Sequence, residues 1–305
     1  MKIRVLGSAA GGGFPQWNCG CENCRAVRMA SPAFRARTEE SIVLSADSRS
    51  WFLVNAGPEV RRQLESFSAV HPRAARGSPV AGILLTNGDL DHTLGLLALR
   101  ESEPLTVLAT SRVRDGFTEH NVLYRTLQRF PGQVTWKLLE LGKPTVLYGH
   151  DGSDAGLRVV ALPMPGKLPI HLEALGAPSP EDNVALLFTE DATGRTLAYA
   201  PGVAGPSDVL DEVANADCIF FDGTFWSDDE LVRQGLGSKR ARDMAHWPIG
   251  GAEGSLRFLE STSRARRILI HINNTNPILR EDSPEAARIA AAGVEIAHDG
   301  LTLEL

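Results

Sequence analysis

Short apolar runs rich in Val, Ile, Leu and Phe recur through these 305 residues far more often than helical periodicities do. Strand-like runs fall at 3–7, 41–45, 51–55, 80–86, 105–109, 134–139, 145–148, 157–161, 184–189, 196–200, 218–222, 267–273, 294–297 and 301–305. Most are bounded by Gly, Pro, Asn or Asp, the pattern of short strands separated by turns. Helical spacing fits 58–65, 91–100, 111–117, 207–214, 251–261 and 284–292, with Pro58 and Pro284 at favourable first-turn positions. So many strands with so few helices suit an α/β sandwich of two sheets packed face to face, helices outside, better than a doubly wound parallel sheet. There is no internal repeat. The Gly/Pro/Asp-rich stretches 149–156 and 176–182 read as surface loops, because strand patterns resume on both sides, and one domain over 1–305 is expected.

Composition narrows the partners. Hydrophobic residues make up 43% and charged residues 22%, ordinary values for a globular protein, and the longest apolar runs, such as 80–85, are too short to span a bilayer. A net charge of −6 and a pI near 5.8, without a Lys/Arg run, argue against nucleic acid. A small molecule or another protein fits better. Residues 1–6 lead into a glycine-rich segment without the apolar stretch of a secretory signal, so a cytoplasmic location is expected.

Three of the four cysteines lie within six residues, as Cys19-Gly20-Cys21-Glu22-Asn23-Cys24. In a reducing compartment this C-x-C-x-x-C spacing points to a soft cation rather than disulfides, and structural Zn²⁺ takes four ligands, so a fourth must come from elsewhere. Three free thiols on a loop are the alternative. Cys218, within an apolar run, reads as a small buried hydrophobe.

The most informative stretch is 83–97, where an apolar strand ends in a loop bearing Asn87, Asp89, Asp91 and His92 and an apolar helix follows. Oxygen and imidazole donors clustered at a strand end can converge on a metal; a polar helix cap is the plainer alternative. A second strand end, in the segment 267–277, again carries a His and amides, at His271, Asn273, Asn274 and Asn276. Two such ends favour the metal.

Residues 86–97 resemble the signature loop of the metallo-β-lactamase superfamily, His-x-His-x-Asp-His, and His271 resembles its terminal metal-binding His. The segments 7–21, 90–97, 221–226 and 271–277 resemble the pyrroloquinoline quinone (PQQ) biosynthesis protein B family. The resemblance implies a metallo-β-lactamase-like αββα sandwich, two mixed sheets flanked by helices, with its site at one edge of the sheets. Against the superfamily pattern, Asn87 and Asp89 stand where two His belong, 162–167 has no third His, and 199–202 lacks a bridging carboxylate. What remains is Asp91, His92 and His271.

Two imidazoles and one carboxylate suit a mononuclear non-heme Fe(II) with open positions. The function implied is PQQ assembly, with an Fe(II)- and O₂-dependent hydroxylase acting on a tyrosine-derived or dihydroxyphenyl precursor, free or peptide-derived. A non-catalytic carrier of PQQ or a precursor, linked to its movement to the periplasm, is the second reading, and a zinc hydrolase the third. Asp222 is expected as a further ligand or as a group orienting a ligating His, with a simple turn cap as the alternative; Asp89 as a replacement ligand or a backbone hydrogen-bond acceptor. His246 matches a superfamily loop facing the site, as proton donor or substrate contact, or packs beside Trp247. The resemblance to a superfamily phosphodiesterase group with the same Cys loop puts Asn274 where that group's fourth zinc ligand is a His. Asn274, a water or a diverted His271 would complete a structural Zn²⁺ with Cys19, Cys21 and Cys24. His71, His120, His150, His171 and His298 read as surface residues, and the sequence leaves a homodimer open.

Overall fold

The computed structural model describes every residue except His120, Leu175 and Ser263. Its strands, in chain order, are β1 (Lys2–Gly7), β2 (Ser41–Ser45), β3 (Trp51–Val54), β4 (Val80–Leu84), β5 (Leu105–Ala109), β6 (Val134–Leu138), β7 (Thr145–Tyr148), β8 (Asp154–Pro163), β9 (Val184–Glu190), β10 (Thr196–Ala200), β11 (Cys218–Asp222), β12 (Arg266–Ile270), β13 (Glu295–Ile296) and β14 (Thr302–Glu304). They form two seven-stranded sheets, ordered β14-β1-β2-β3-β4-β5-β6 and β13-β12-β11-β10-β9-β8-β7. Each sheet is mixed. β3 to β6 run parallel in the first and β10 to β13 in the second, while the remaining pairs are antiparallel.

Alternation along the strands divides the apolar residues into three cores. Ile3, Ile42, Leu44 and Phe52 of the first sheet meet Phe188, Tyr199 and Phe220 of the second in a core between the sheets. Leu6, Val43 and Leu53 point the other way and pack under α2 (Val60–Glu65) and α4 (Ser111–Thr118). Ala198, Ile219 and Leu269 do the same beneath α5 (Leu210–Ala214), α7 (Ser255–Ser261) and α8 (Pro284–Ala291). Three cores require four layers, helix, sheet, sheet, helix, which is the sandwich expected.

Local departures from the sequence reading cluster at one end of the sheets. The segment 91–100 is one α-turn, α3 (Leu90–Thr93), followed by a 3₁₀ turn at Leu94–Ala98 rather than a continuous helix. Gly95 donates its N–H to the Ala56 carbonyl at 2.8 Å, and a Cβ there would lie 2.1 Å from the Gly57 oxygen, so chain crowding sets this conformation. The strand expected at 267–273 stops at Ile270 because His271 takes φ +58°. Cys24 lies not on a loop but in α1 (Glu22–Arg28), a helix whose seven residues gave no clear apolar period. The remaining helix, α6 (Glu230–Arg233), is also a single turn. Among the described residues, no helix is long and apolar enough to cross a membrane.

Candidate metal centre

The carboxyl ends of β4, β11 and β12 open at the same edge of the sandwich, where α/β folds place their ligands. β4 leads through Thr86 into α3, which carries Asp91 and His92; His271 directly follows β12, and β11 ends at Asp222, two residues before Thr224. His271 and Ala245, the residue before His246, both hold left-handed backbone (φ +58° and +62°), as does Asn55 (φ +58°). Non-glycine residues adopt this conformation at a cost, and here they gather around one site.

His92 and His271 are mounted alike. Thr86 Oγ1 lies 3.1 Å from His92 Nδ1, and Thr224 Oγ1 lies 2.8 Å from His271 Nδ1. Each hydroxyl has an acceptor for its own proton, Asn55 Oδ1 at 3.2 Å for Thr86 and Asp222 Oδ1 at 2.6 Å for Thr224. Each imidazole therefore donates from Nδ1, which leaves Nε2 as the nitrogen that faces the site. The two Nε2 atoms turn toward Asp91, whose Oδ2 is 3.7 Å from His92 and 3.3 Å from His271. Nε2 of His92 is buried and lacks an aligned hydrogen-bond partner. Lone pairs facing a carboxylate at these distances call for a cation between them, and the three side chains have donor atoms all within 4.8 Å of one another. Without a metal, a proton takes that place. Burial acts against a charge on His92, but Asp91 and Glu40 beside it push its pKa up to about 10, and the imidazoles hold Asp91 well below the usual carboxylate range despite its burial.

Glu40 is a functional candidate that the sequence reading missed. It is fully buried, places Oε1 3.0 Å from His92 Nε2, though off the ring's lone-pair direction, and accepts from Asn55 Nδ2 at 2.6 Å. Its other oxygen accepts from the Tyr199 hydroxyl, which reaches over from β10 in the opposite sheet. The only sequence signal was a pair of acids, Glu39 and Glu40, directly before a fully buried strand.

Asp222 is placed differently from Asp91. Oδ1 accepts from Thr224 N and Oγ1, and Oδ2 accepts from Val203 N and from His246 Nδ1 at 2.7 Å. These bonds orient both the Thr224 hydroxyl and His246, and Asp222, His246 and His271 also bring donor atoms within 4.8 Å of one another, a second grouping able to hold a metal. Burial acts against its charge, but His246 and these donors lower its pKa. His246 stacks on His271 (centroids 5.3 Å apart, 26° between planes) and lines a pocket of about 360 Å³ together with Asp89, Asp91, His92 and His271. Asp89 reaches this pocket but stands outside the close donor cluster; burial and Asp91 raise its pKa. Asn87 is engaged elsewhere, with Oδ1 accepting from Asp89 N at 2.9 Å.

Cys19, Cys21 and Cys24 place their sulfurs within 4.8 Å of one another, and the Asn274 amide nitrogen lies 3.1, 3.7 and 3.4 Å from them. Burial pushes the Cys24 thiol up to about 12, with Cys21 adding to the rise. Such thiols ionise together only around a cation, and turning the amide over would present its oxygen. Asn23 Nδ2 ties the helix to the carbonyls of Asn274 and Asn276, at 3.1 Å each. Cys218 is buried in β11, and burial raises its thiol to about 12. His150 and His171 are exposed, His71 and His298 half-buried, and His120 lies outside the described residues.

Residues 50–272 match the family model of the beta-lactamase superfamily domain. Over the full length of both chains, the sequence is 43% identical to coenzyme PQQ synthesis protein B of Pseudomonas putida (strain W619) and 43% identical to that of Azotobacter vinelandii. The zinc-bound crystal structure of PqqB from Methylobacterium extorquens superposes with a TM-score of 0.92 at 39% identity, covering all of both chains. A diphosphatase of the PhnP family, 18% identical over all of this chain and 97% of its own, shares the fold with a TM-score of 0.68. The chain thus belongs to the coenzyme PQQ synthesis protein B family, within the β-lactamase superfamily, and its role is in PQQ biosynthesis.

Proposed function

We propose that residues 1–305 form one domain that works as a mononuclear Fe(II)- and O₂-dependent hydroxylase of a tyrosine-derived or dihydroxyphenyl PQQ precursor. The observation carrying this reading is the pair of Nε2 atoms, of His92 and His271, aimed at Asp91 with both Nδ1 atoms held by threonines. This donor set fits a divalent ion and leaves coordination positions open, where Fe(II) supplies oxygen activation. Asp91, His92 and His271 would hold the ion, with Thr86 and Thr224 fixing the ring orientations. His246, held through Nδ1 by Asp222, keeps Nε2 for the pocket and moves a proton to or from the substrate there. The adjoining Phe225 gives an aromatic ring an apolar wall.

A two-metal hydrolase is the weaker reading, since Asn87 Oδ1 is committed to Asp89 N and the Tyr199 hydroxyl to Glu40, so these two positions offer no ligand for a second ion. The Cys19, Cys21, Cys24 and Asn274 set would hold a structural Zn²⁺ that pins α1 to the segment following His271. The relative from M. extorquens is zinc-bound, which agrees with at least one such site.

The deciding experiment is oxygen uptake by anaerobically Fe(II)-loaded protein offered tyrosine-derived and dihydroxyphenyl substrates, beside His92→Ala and a zinc-loaded sample. Uptake requiring iron, substrate and His92 together is the expected result. Absence of uptake with every substrate, alongside firm PQQ binding by wild type and variant alike, would replace the hydroxylase by a carrier.

A further inference from the structure

The chain contains twenty-six arginines and only five lysines. Three of these have ordinary surroundings: Lys2 is exposed on β1, Lys137 lies over the Tyr148 ring at 5.1 Å, and Lys143 pairs with Glu140 at 2.5 Å. The other two, Lys167 and Lys239, come from loops 72 residues apart in sequence and line the pocket that holds Asp91, His92 and His271. Among the described residues neither has a carboxylate within 4.0 Å. In a chain that otherwise uses arginine for its cations, two lysines without acidic partners at one pocket are a chemical choice. An ammonium is a compact point charge that meets a carboxylate from many directions, whereas a guanidinium demands a planar fork.

Both loops are held in place. Asn183 Nδ2 donates to the Gly202 carbonyl at 2.9 Å and to the Pro165 carbonyl at 3.4 Å, and Ala204 N donates to Pro165 O at 3.0 Å. A Cβ on Gly166 would lie 2.6 Å from Asn183 Cβ, so the chain just before Lys167 is pressed against that clamp. Beside Lys239, Asp228 accepts from the Arg240 guanidinium at 3.3 Å and from Arg242 N at 3.1 Å, and Asp243 accepts from Arg240 N at 2.8 Å, so both carboxylates are engaged by neighbours of Lys239 rather than by its ammonium. The pocket is thus bipolar, acidic where Asp89 and Asp91 lie and cationic at the lysines.

We propose that Lys167 and Lys239 form an anion-binding rim, and that the substrate is an aromatic amino-acid derivative bearing at least one free carboxylate. The inference rests on the reading of this pocket as the substrate site. The carboxylate meets the lysines while the ring reaches the Asp91, His92 and His271 end. Each lysine is expected to strengthen binding about 5- to 10-fold, between the worth of an exposed ion pair and that of a charge-assisted hydrogen bond.

The test uses full-length protein loaded with zinc, which runs no oxygen chemistry, and calorimetric titration with L-dihydroxyphenylalanine and with dopamine. The two share ring and amine, and only the first carries a carboxylate. Wild type is expected to bind dihydroxyphenylalanine more tightly. Lys167→Gln and Lys239→Gln should each weaken it by that factor and leave dopamine, a cation, bound no more weakly. Equal binding of both ligands by wild type, or discrimination that survives in the double variant, overturns the rim and leaves the metal pocket standing. If neither ligand binds to metal-loaded wild type, the substrate pocket itself is refuted, and the rim with it.

Discussion

Replacing Thr224 by valine keeps the shape of the side chain and removes one oxygen, and that oxygen touches four groups of the candidate site. Thr224 Oγ1 lies 2.6 Å from Asp222 Oδ1, 2.8 Å from His271 Nδ1, 2.9 Å from the His271 carbonyl and 3.1 Å from His246 Nδ1. Asp222 keeps its bonds from Thr224 N, Val203 N and His246, so its own position should hold. His271 Nδ1 keeps nothing. A buried donor left without a partner costs about 1–3 kcal/mol, and loss of such support to a metal-binding imidazole lowers affinity about 10- to 100-fold, or roughly 1.4–2.8 kcal/mol. Competition against a graded chelator, with a two-site fit separating the Asp91, His92 and His271 metal from the cysteine site, measures this directly. Thr224→Ser, which restores the hydroxyl, should recover affinity to within a few-fold. Wild-type affinity in a folded Thr224→Val protein would refute the claim that His271 binds metal through an Nε2 aimed by this threonine.

Three further outcomes follow from the same reasoning. Glu40→Gln removes a buried negative charge 3.0 Å from His92 Nε2 and one of two acceptor oxygens serving Asn55 and Tyr199; metal affinity should fall about tenfold in the chelator assay, with stability lower by about 1–3 kcal/mol. Cys21→Ser should release zinc from the cysteine site and lower the melting temperature, and unchanged zinc stoichiometry would sink that assignment. Glu230 is buried, and burial raises its carboxyl to about 7 although Thr275 and Trp226 N donate to it. A raised folded-state pKa means that the folded protein binds the extra proton, so this group's contribution is fully present below about pH 4.5 and is lost as pH rises through 7. The loss is on the order of 3 kcal/mol, and Glu230→Gln should flatten the fall in denaturation midpoint between pH 5 and 8 relative to wild type.

The sheets were legible because their strands are short, apolar and punctuated. The structure reproduces 41–45, 105–109, 145–148, 196–200 and 218–222 residue for residue, and in all but 145–148 burial leaves little choice of period. Asp91, His92 and His271 were legible for a related reason, since polar donors at the ends of buried strands are costly to leave without a partner. Glu40 was not, because what buries it is Tyr199, 159 residues away on the other sheet, and no local pattern encodes that meeting. The division of 91–100 into an α-turn and a 3₁₀ turn was hidden likewise, being set by the carbonyls of Ala56 and Gly57 against Gly95.

The same long-range contacts bear on the proposed use of one ion where the superfamily pattern holds two. The sequence replaces the His of the signature pair by Asn87 and Asp89, and the structure commits Asn87 to the turn that presents Asp89 to the pocket. Tyr199, in the stretch where a bridging carboxylate would be expected, instead sends its hydroxyl to Glu40, so a carboxylate sits beneath His92, anchored from both sheets. That exchange keeps negative charge beside the retained ligands while leaving the vacated half of the pocket to Asp89, Lys167 and His246. On the proposed reading, that space is what an oxygen-dependent step on a bulky aromatic needs beside one ion and a proton-carrying imidazole, and a second metal would fill it.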